Sequence, residues 1–181
     1  MRYIVSCNHK LFNIGAAYWK TRKLFYICIA YDIIVNDKKA IKMEALYQTT
    51  VAVTGGRNGK VRSEDGVLEL EVRTPKELGG KEGYTNPEQL FAAGYAACFD
   101  SALNLIMNRE KVKPASPSTV KATVALKSNG AGGFVLGVVL AVNIPGIEKA
   151  QAQELVEKAH VVCPYSNATR GNIEVQLEVI E

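Results

Sequence analysis

The sequence predicts an α+β fold in which antiparallel strands, grouped as hairpins, surround two central helices in the order βββ-α-ββ-α-β. Two observations predict this class. Segments with alternating apolar and polar residues occur as neighbours joined by tight-turn sequences. The two helical segments follow groups of strands and do not alternate with single strands. With 181 residues, the chain has room for one domain with a sizeable core, or for one domain and an appendage.

The first part of the fold is predicted as three strands joined by tight turns. Residues 46–54 are rich in β-branched and aromatic side chains, and residues 67–74 alternate strictly. The turn sequence GGRNGK between them is an alternative candidate for a phosphate-binding loop. That motif requires four residues between its glycines and a Ser or Thr after the lysine, whereas Gly55 and Gly59 enclose three and Val61 follows the lysine. We therefore interpret the segment as a hairpin turn.

The first helix is predicted to begin after Asn86, a favourable N-cap, with Pro87 at its first position, and to run to about Arg109. Residues 90–99 contain no charged side chain and are apolar on every side of a helix. A surface helix shows a single apolar stripe instead. We therefore expect a buried helix, and small residues such as Gly94 would let another helix approach, including one from a second subunit.

The second half of the body is predicted as a hairpin, a helix and a final strand. The hairpin strands are residues 118–127 and 133–143, with an Asn-Gly turn signal between them. A helix over 147–162 carries its apolar residues on one face, and Pro164 is expected to end it. Residues 173–180 alternate again and are predicted as the last strand.

Charge divides the chain at Met43. Residues 1–42 hold eight basic and two acidic side chains, net +6, so residues 43–181 carry 14 basic and 16 acidic ones, net −2. We therefore predict a basic, aromatic-rich N-terminal extension and a separate body, with Met43 as the functional start. A nucleic-acid partner is suggested only by the charge of the extension, and we expect none.

No membrane anchor or secretory signal is expected. The longest apolar run of the extension, residues 24–35, contains Asp32 and falls short of the roughly 20 apolar residues of a spanning helix. The residues after this run offer no cleavage site for a signal peptide. We therefore predict a cytoplasmic protein. The four cysteines are too far apart for a zinc pattern and too few for a secreted disulfide scaffold.

Cys98, in the first helix, and Cys163, at the end of the second helix, are candidate redox residues. A buried cysteine is more often a small hydrophobic residue, but the segment around Cys163 is polar and turn-forming, which is a poor place merely to bury a thiol. A helix C-terminus disfavours negative charge, so Cys163 should have the less stable thiolate. Cys98 is then the better nucleophile. His160 with the two cysteines would supply three metal ligands, but no fourth donor is evident, and no metal or cofactor is predicted.

Burial among aromatic residues would hinder ionisation of Cys98, so its thiolate needs a cation. Arg57, in the first hairpin turn, is a candidate, and Glu88 could hold its guanidinium through two hydrogen bonds. Glu88 and Cys98 are ten residues apart, about 15 Å along an ideal helix. Arg57 could therefore serve both only if its side chain spans the gap, the helix start is irregular, or a second chain contributes.

The segments NPEQLFAAGYAACF around Cys98 and VCPYSNATRGN around Cys163, with GGRNG at Arg57, resemble the organic hydroperoxide resistance (Ohr) branch of the OsmC/Ohr family over residues 43–181. The resemblance implies an intertwined homodimer with its sites at the interface. It also implies a thiol peroxidase that reduces organic hydroperoxides to alcohols, with a dihydrolipoyl-bearing protein as reductant. By this resemblance Cys98 is the peroxidatic cysteine, Cys163 resolves it as an intramolecular disulfide, Arg57 steadies the thiolate and Glu88 orients Arg57.

An apolar pocket would favour an alkyl hydroperoxide over hydrogen peroxide. Phe91, Tyr95, Phe99 and Leu78 are candidate wall residues, and each could equally be an ordinary core residue. An alternative function on the same fold is a non-enzymatic redox-sensing or ligand-binding module, in which Cys98 oxidation signals without turnover.

Overall fold

A computed structural model describes residues 3–7, 10–14 and 44–181. The chain divides into two compact units, Met1–Gln48 and Thr49–Glu181. In the first unit, strands β1 (Tyr3–Cys7) and β2 (Lys10–Ile14) pair antiparallel. The apolar run considered above as a membrane anchor lies outside the described residues.

The second unit is the α+β body that the sequence predicts, and this class is confirmed. Its elements in chain order are β3 (Val51–Thr54), β4 (Gly59–Ser63), β5 (Glu69–Val72), α1 (Pro87–Glu110), β6 (Thr119–Ser128), β7 (Phe134–Asn143), α2 (Lys149–Val162), α3 (Pro164–Thr169) and β8 (Glu174–Val179). The short helix α3 was not predicted. Pro164 does end α2, but it also occupies the first position of α3, where proline costs no hydrogen bond.

The strands of the second unit form two three-stranded sheets. The first is an antiparallel meander in the order β3-β4-β5. In the second, β6 and β7 pair antiparallel, but β8 lies parallel to β7, with Leu140 opposite Leu177. The second sheet is therefore mixed, where a purely antiparallel one was expected. The reason is the connection: α2 and α3 carry the chain back across the sheet before β8 begins, and such a crossover delivers a parallel strand.

The core of the second unit lies between the mixed sheet and helices α1 and α2. Tyr95, Phe99, Leu103, Leu140 and Leu155 are fully buried in it. Aromatic and branched side chains of this size dominate the hydrophobic free energy of a small core, at about 1.5–3 kcal/mol for each fully buried residue. This packing fixes the position of α1, which carries Cys98, relative to α2, which leads to Cys163.

Helix α1 is buried on one face only, which differs from the expectation that it is buried all round. Tyr95, Phe99 and Leu103 point into the core, whereas Ala93 and Leu105 are exposed. Among the described residues, α1 packs against strand β6 and helices α2 and α3, and these cover one face of it. The helix is long and apolar enough to cross a membrane by length and composition. Its buried face belongs to the core, so its composition is that of a core helix.

The start of α1 is set by its N-cap. The Asn86 side chain accepts a hydrogen bond of 2.8 Å from the backbone N–H of Gln89, and Pro87 is the first helical residue, as predicted. The helix ends at Glu110, where Lys111 adopts a left-handed conformation with φ of 57°. Glu88 is thereby held in the first turn of an unbroken helix.

Candidate active site

The structure brings the two predicted cysteines together, although 65 residues separate them in the chain. Cys98 lies in the middle of α1, and Cys163 lies at the junction of α2 and α3. Both are free thiols, and their Sγ atoms are 3.7 Å apart. A disulfide requires about 2.05 Å between sulfurs, so a movement of less than about 2 Å would join them. Cys163 is fully buried and Cys98 partly exposed, which leaves Cys98 as the thiol that a solute can reach.

The described residues around Cys98 hold its thiol in the neutral form. Burial raises the pKa of its thiol above the ordinary value of 9.0, because the thiolate is the form that loses solvation. The backbone N–H of Tyr165 partly offsets this by favouring the thiolate, and the neighbouring Cys163 raises the pKa further. A nucleophilic Cys98 therefore needs a positive charge in addition to the groups that surround it here.

Arg57 and Glu88 form the ion pair that the sequence predicts. Arg57 lies in a single 3-10 turn between β3 and β4, and Glu88 lies in the first turn of α1. The guanidinium donates from Nη1 to Oε2 at 2.8 Å and from Nη2 to Oε1 at 2.5 Å, a bidentate geometry. The Glu88 side chain is 14% exposed and that of Arg57 41%. Each group favours the charged form of the other, so the pKa of Glu88 is lowered and that of Arg57 is raised.

The ion pair and the thiol pair form two separate centres within the described chain. Arg57 is not among the groups that shift the pKa of Cys98. Glu88 and Cys98 lie ten residues apart on α1, about 15 Å along the axis of a regular helix. Because α1 is continuous from Pro87 to Glu110, an irregular helix start does not shorten this separation. Of the three ways considered above to bring Arg57 to Cys98, two are left: the Arg57 side chain spans the distance, or a second chain contributes one of the two residues.

The four candidate pocket residues divide into two groups. Leu78 is 59% exposed and, with Glu88, lines a cavity of ≈ 460 Å³ between the β5–α1 connection, the first turns of α1 and strand β6. The three aromatic residues lie further along α1. Tyr95 and Phe99 are fully buried, and Phe91 packs against Tyr95 edge-on with ring centroids 5.9 Å apart. In this chain the aromatic residues act as core, and Leu78 faces open space.

Tyr165 is a residue at the site that the sequence analysis missed. Its backbone N–H favours the Cys98 thiolate, and its ring lies 5.8 Å from that of Tyr95. The ring rests on Gly94, where an added Cβ would come within 3.1 Å of the Tyr165 hydroxyl oxygen. Gly94 therefore lets another helix come close, as the sequence suggested, and that helix is α3, which carries this ring. In the sequence, the position of Tyr165 two residues after Cys163 was the one indication that it could belong to the site. Its backbone N–H is directed at Cys98 only because the chain turns into α3 at this point.

His160 lies one helical turn before Cys163 on α2. Its ring lies 6.5 Å from that of Phe99, and its Nδ1 is buried without a hydrogen-bond partner among the described residues. Burial lowers the pKa of His160, and the charge of Arg170 lowers it further. Within the part of the chain that the structure describes, no three His, Cys, Asp or Glu side chains are grouped to hold a metal ion.

Fold and site together define a cysteine-pair protein of the OsmC type, and residues 79–178 match the family model described as OsmC-like protein. The organic hydroperoxide resistance protein OhrA of Bacillus subtilis is 51% identical over 140 residues, 76% of this chain and 99% of OhrA. The organic hydroperoxide resistance protein of Xanthomonas axonopodis pv. citri is 48% identical over 74% of this chain and 94% of the relative.

A comparison with solved structures also finds an organic hydroperoxide resistance protein. The crystal structure of an organic hydroperoxide resistance protein from Elizabethkingia anophelis has a TM-score of 0.72 and 59% sequence identity, and it covers 76% of this chain and 98% of that chain. The chain therefore belongs to the OsmC/Ohr family, in its organic hydroperoxide resistance branch. The resemblance drawn from the cysteine segments is confirmed.

Proposed function

We propose that this protein is a thiol peroxidase that reduces organic hydroperoxides to alcohols in the response to oxidative stress. The observation that carries the proposal is the distance of 3.7 Å between the Cys98 and Cys163 sulfurs. Two thiols at this distance, one partly exposed and one buried, suit a cycle in which the first is oxidised and the second forms a disulfide with it. The names of the relatives, organic hydroperoxide resistance proteins, support the substrate class.

In the first step, the Cys98 thiolate attacks the distal oxygen of the hydroperoxide. A sulfur–oxygen bond forms, the oxygen–oxygen bond breaks, and the alkoxide takes a proton to leave as the alcohol. Cys98 is oxidised by two electrons to a sulfenic acid. In the second step, Cys163 attacks the Cys98 sulfur, the sulfur–oxygen bond breaks and water leaves, which gives the disulfide.

The disulfide is then reduced by a dithiol. A dihydrolipoyl group on a partner protein is the proposed reductant, because a dithiol attacks one sulfur, forms a mixed disulfide and closes on itself to release both cysteines. The electrons of each cycle therefore pass from the dithiol to the hydroperoxide. No bound cofactor is required, and the proposed location is the cytoplasm.

Arg57 is proposed to steady the Cys98 thiolate, and Glu88 to orient Arg57. Two of the five N–H donors of the guanidinium bond to Glu88, which leaves three for other acceptors. Because Arg57 is held by Glu88, which lies about 15 Å along α1 from Cys98, we propose that the site is completed in a homodimer. Arg57 of one copy would then face Cys98 of the second copy, and the exposed face of α1 would lie at the interface.

The proposed substrate carries an apolar group. The cavity beside Glu88 has a polar side with Glu77, Asn86 and Gln89 and an apolar wall that includes Leu78, Val124 and Leu126. In the homodimer such a wall beside the ion pair would receive the alkyl part of a hydroperoxide, whereas hydrogen peroxide has no group to bury there. Phe91 is the aromatic residue best placed to extend that wall, since Tyr95 and Phe99 are fully buried.

Mass spectrometry after one equivalent of cumene hydroperoxide tests this proposal. We expect a disulfide between Cys98 and Cys163 and, with dihydrolipoamide present, repeated turnover. In a Cys163→Ser variant the product should be Cys98 sulfenic acid, which dimedone traps. Absence of the disulfide would refute the two-cysteine cycle. One stoichiometric oxidation without turnover would favour the redox-sensing alternative.

A further inference from the structure

A buried cluster of three hydroxyl groups joins α1 to α3 next to the two thiols. Tyr95 Oη lies 3.0 Å from Ser166 Oγ and 3.2 Å from Thr169 Oγ1. Tyr95 and Ser166 are 0% exposed and Thr169 is 4% exposed. Burying a hydroxyl group costs free energy unless it is paired, and here all three are paired. In the described part of the chain, these are the only hydrogen bonds that join a side chain of α1 to a side chain of α3.

The contacts of the Thr169 hydroxyl show which group donates and which accepts in these hydrogen bonds. Its Oγ1 lies 3.0 Å from the carbonyl oxygen of Tyr165 and 3.2 Å from that of Ser166, and carbonyl oxygens only accept. The single hydroxyl hydrogen of Thr169 is therefore used within α3, so Thr169 accepts from Tyr95, and Tyr95 accepts from Ser166. Removing the Tyr95 hydroxyl would break both bonds between the helices at once.

The cluster lies beside the sulfurs on both elements. Tyr95 precedes Cys98 by three residues on α1, and residues three apart lie on the same face of a helix. Ser166 follows Cys163 by three residues, in the first turn of α3. The hydroxyl link therefore connects the same two elements that the Cys98–Cys163 contact connects.

We infer that Tyr95 is a positioning residue for disulfide formation: its hydroxyl holds α3, and with it Cys163, against α1 while Cys98 carries the sulfenic oxygen. This inference rests on the proposed function. The sulfurs must close from 3.7 Å to about 2.05 Å, and a misplacement of about 1 Å can slow a reaction about 100-fold. Cys163 forms the bond to Cys98, and the sulfenic oxygen leaves as water with the proton of the Cys163 thiol. The preceding attack on the hydroperoxide needs Cys98 but not Cys163.

The test measures the two steps separately in Tyr95→Phe, which keeps the ring and loses only the hydroxyl. Rapid mixing with one equivalent of cumene hydroperoxide, followed by quenching and mass spectrometry, gives the rates of Cys98 oxidation and of disulfide formation. We expect the oxidation rate to be unchanged and disulfide formation to slow by about 10- to 100-fold. Ser166→Ala breaks one of the two bonds and should slow disulfide formation by no more than Tyr95→Phe does. The double variant should be no slower than Tyr95→Phe, because that change already breaks both bonds.

Tyr47→Phe is the matched control, since Tyr47 is 79% exposed and outside the cluster. It should form the disulfide at the wild-type rate. Wild-type disulfide formation in folded Tyr95→Phe and Ser166→Ala would overturn the inference, and so would equal slowing of both steps. If the wild-type protein itself forms neither sulfenic acid nor disulfide, the proposed function fails, and the inference fails with it.

Discussion

At the residue scale, the proposed role of Arg57, which is to stabilise the Cys98 thiolate, depends on how close its guanidinium lies to the sulfur. Its guanidinium is fixed by two hydrogen bonds to Glu88, but the pKa of Cys98 is raised by burial and is not lowered by Arg57 within one chain. A thiolate in an apolar setting requires a nearby cation. The proposed cycle therefore assigns Arg57 to a Cys98 other than that of its own chain.

Arg57→Ala should raise the pKa of Cys98 in the assembled protein to above 9.0, its ordinary value. It should also slow hydroperoxide reduction by about 100- to 1,000-fold, because one charge-stabilising donor is lost. The pH dependence of alkylation by iodoacetamide measures the first effect and stopped-flow kinetics the second. Arg62→Ala is the control, since Arg62 is an exposed arginine on the same hairpin. Near wild-type kinetics at neutral pH in Arg57→Ala would remove Arg57 from the mechanism.

Glu88→Gln should lower stability in a pH-dependent way. Because Arg57 lowers the pKa of Glu88 in the folded state, the ion pair stabilises the fold fully above pH 4.5, the ordinary pKa. This stabilisation is lost as the pH falls through the lower folded pKa. The difference in free energy of unfolding between wild type and Glu88→Gln should therefore shrink in acid, as measured by urea titration. The exposed Glu154, replaced in the same way, is the control, and a pH-independent difference for Glu88 would contradict the pairing.

At the scale of elements, α1 connects the two centres of the site. It carries Glu88 in its first turn and Cys98 near its middle, and its regular path keeps them about 15 Å apart. One face of the helix enters the core, and Gly94 receives the ring of Tyr165 from α3. The position of the ion pair therefore depends on how the first turn of α1 is held.

Asn86→Ala should lower the free energy of unfolding by about 1 kcal/mol, because the backbone N–H of Gln89 loses its capping acceptor. Fraying of the first turn should also move Glu88 and reduce the rate of hydroperoxide reduction. Denaturant unfolding and stopped-flow kinetics measure the two effects. Asn108→Ala, an exposed substitution in the last turn of the same helix, should leave both unchanged. Equal stability of wild type and Asn86→Ala would show that the cap contributes nothing.

At the scale of the whole molecule, the proposed mechanism depends on how two copies of the chain combine the thiol pair of one with the ion pair of the other. The thiol pair and the ion pair are each complete in one chain but lie apart, and α1 leaves an exposed face of small and polar residues such as Ala93, Ala97 and Ser101. A symmetric dimer would provide two equivalent sites in which each chain supplies one centre. This arrangement can be tested by combining defects on separate chains.

Arg57→Ala chains retain both thiols, and Cys98→Ser chains retain the ion pair. Mixing the two inactive variants under conditions of subunit exchange should restore about one quarter of wild-type activity, because half of the dimers would be mixed and each would contain one intact site. Mixing Cys98→Ser with Cys163→Ser should restore none, since no chain then has both thiols. If verified mixed dimers of the first pair are inactive, Arg57 does not act across the interface.

The sequence by itself predicted the α+β class, the order of the strands and the two long helices of the body, the cap of α1 and the family, and it singled out Cys98, Cys163, Arg57 and Glu88 as candidates. These depend on local patterns and on segments that are characteristic as strings of residues. The tertiary structure alone decided which residues meet. It made β8 parallel through a crossover, brought two distant thiols to 3.7 Å, directed the backbone N–H of Tyr165 at the Cys98 sulfur and paired Arg57 with Glu88. Such contacts arise from packing between elements far apart in the chain, and no local pattern encodes the distance between two side chains.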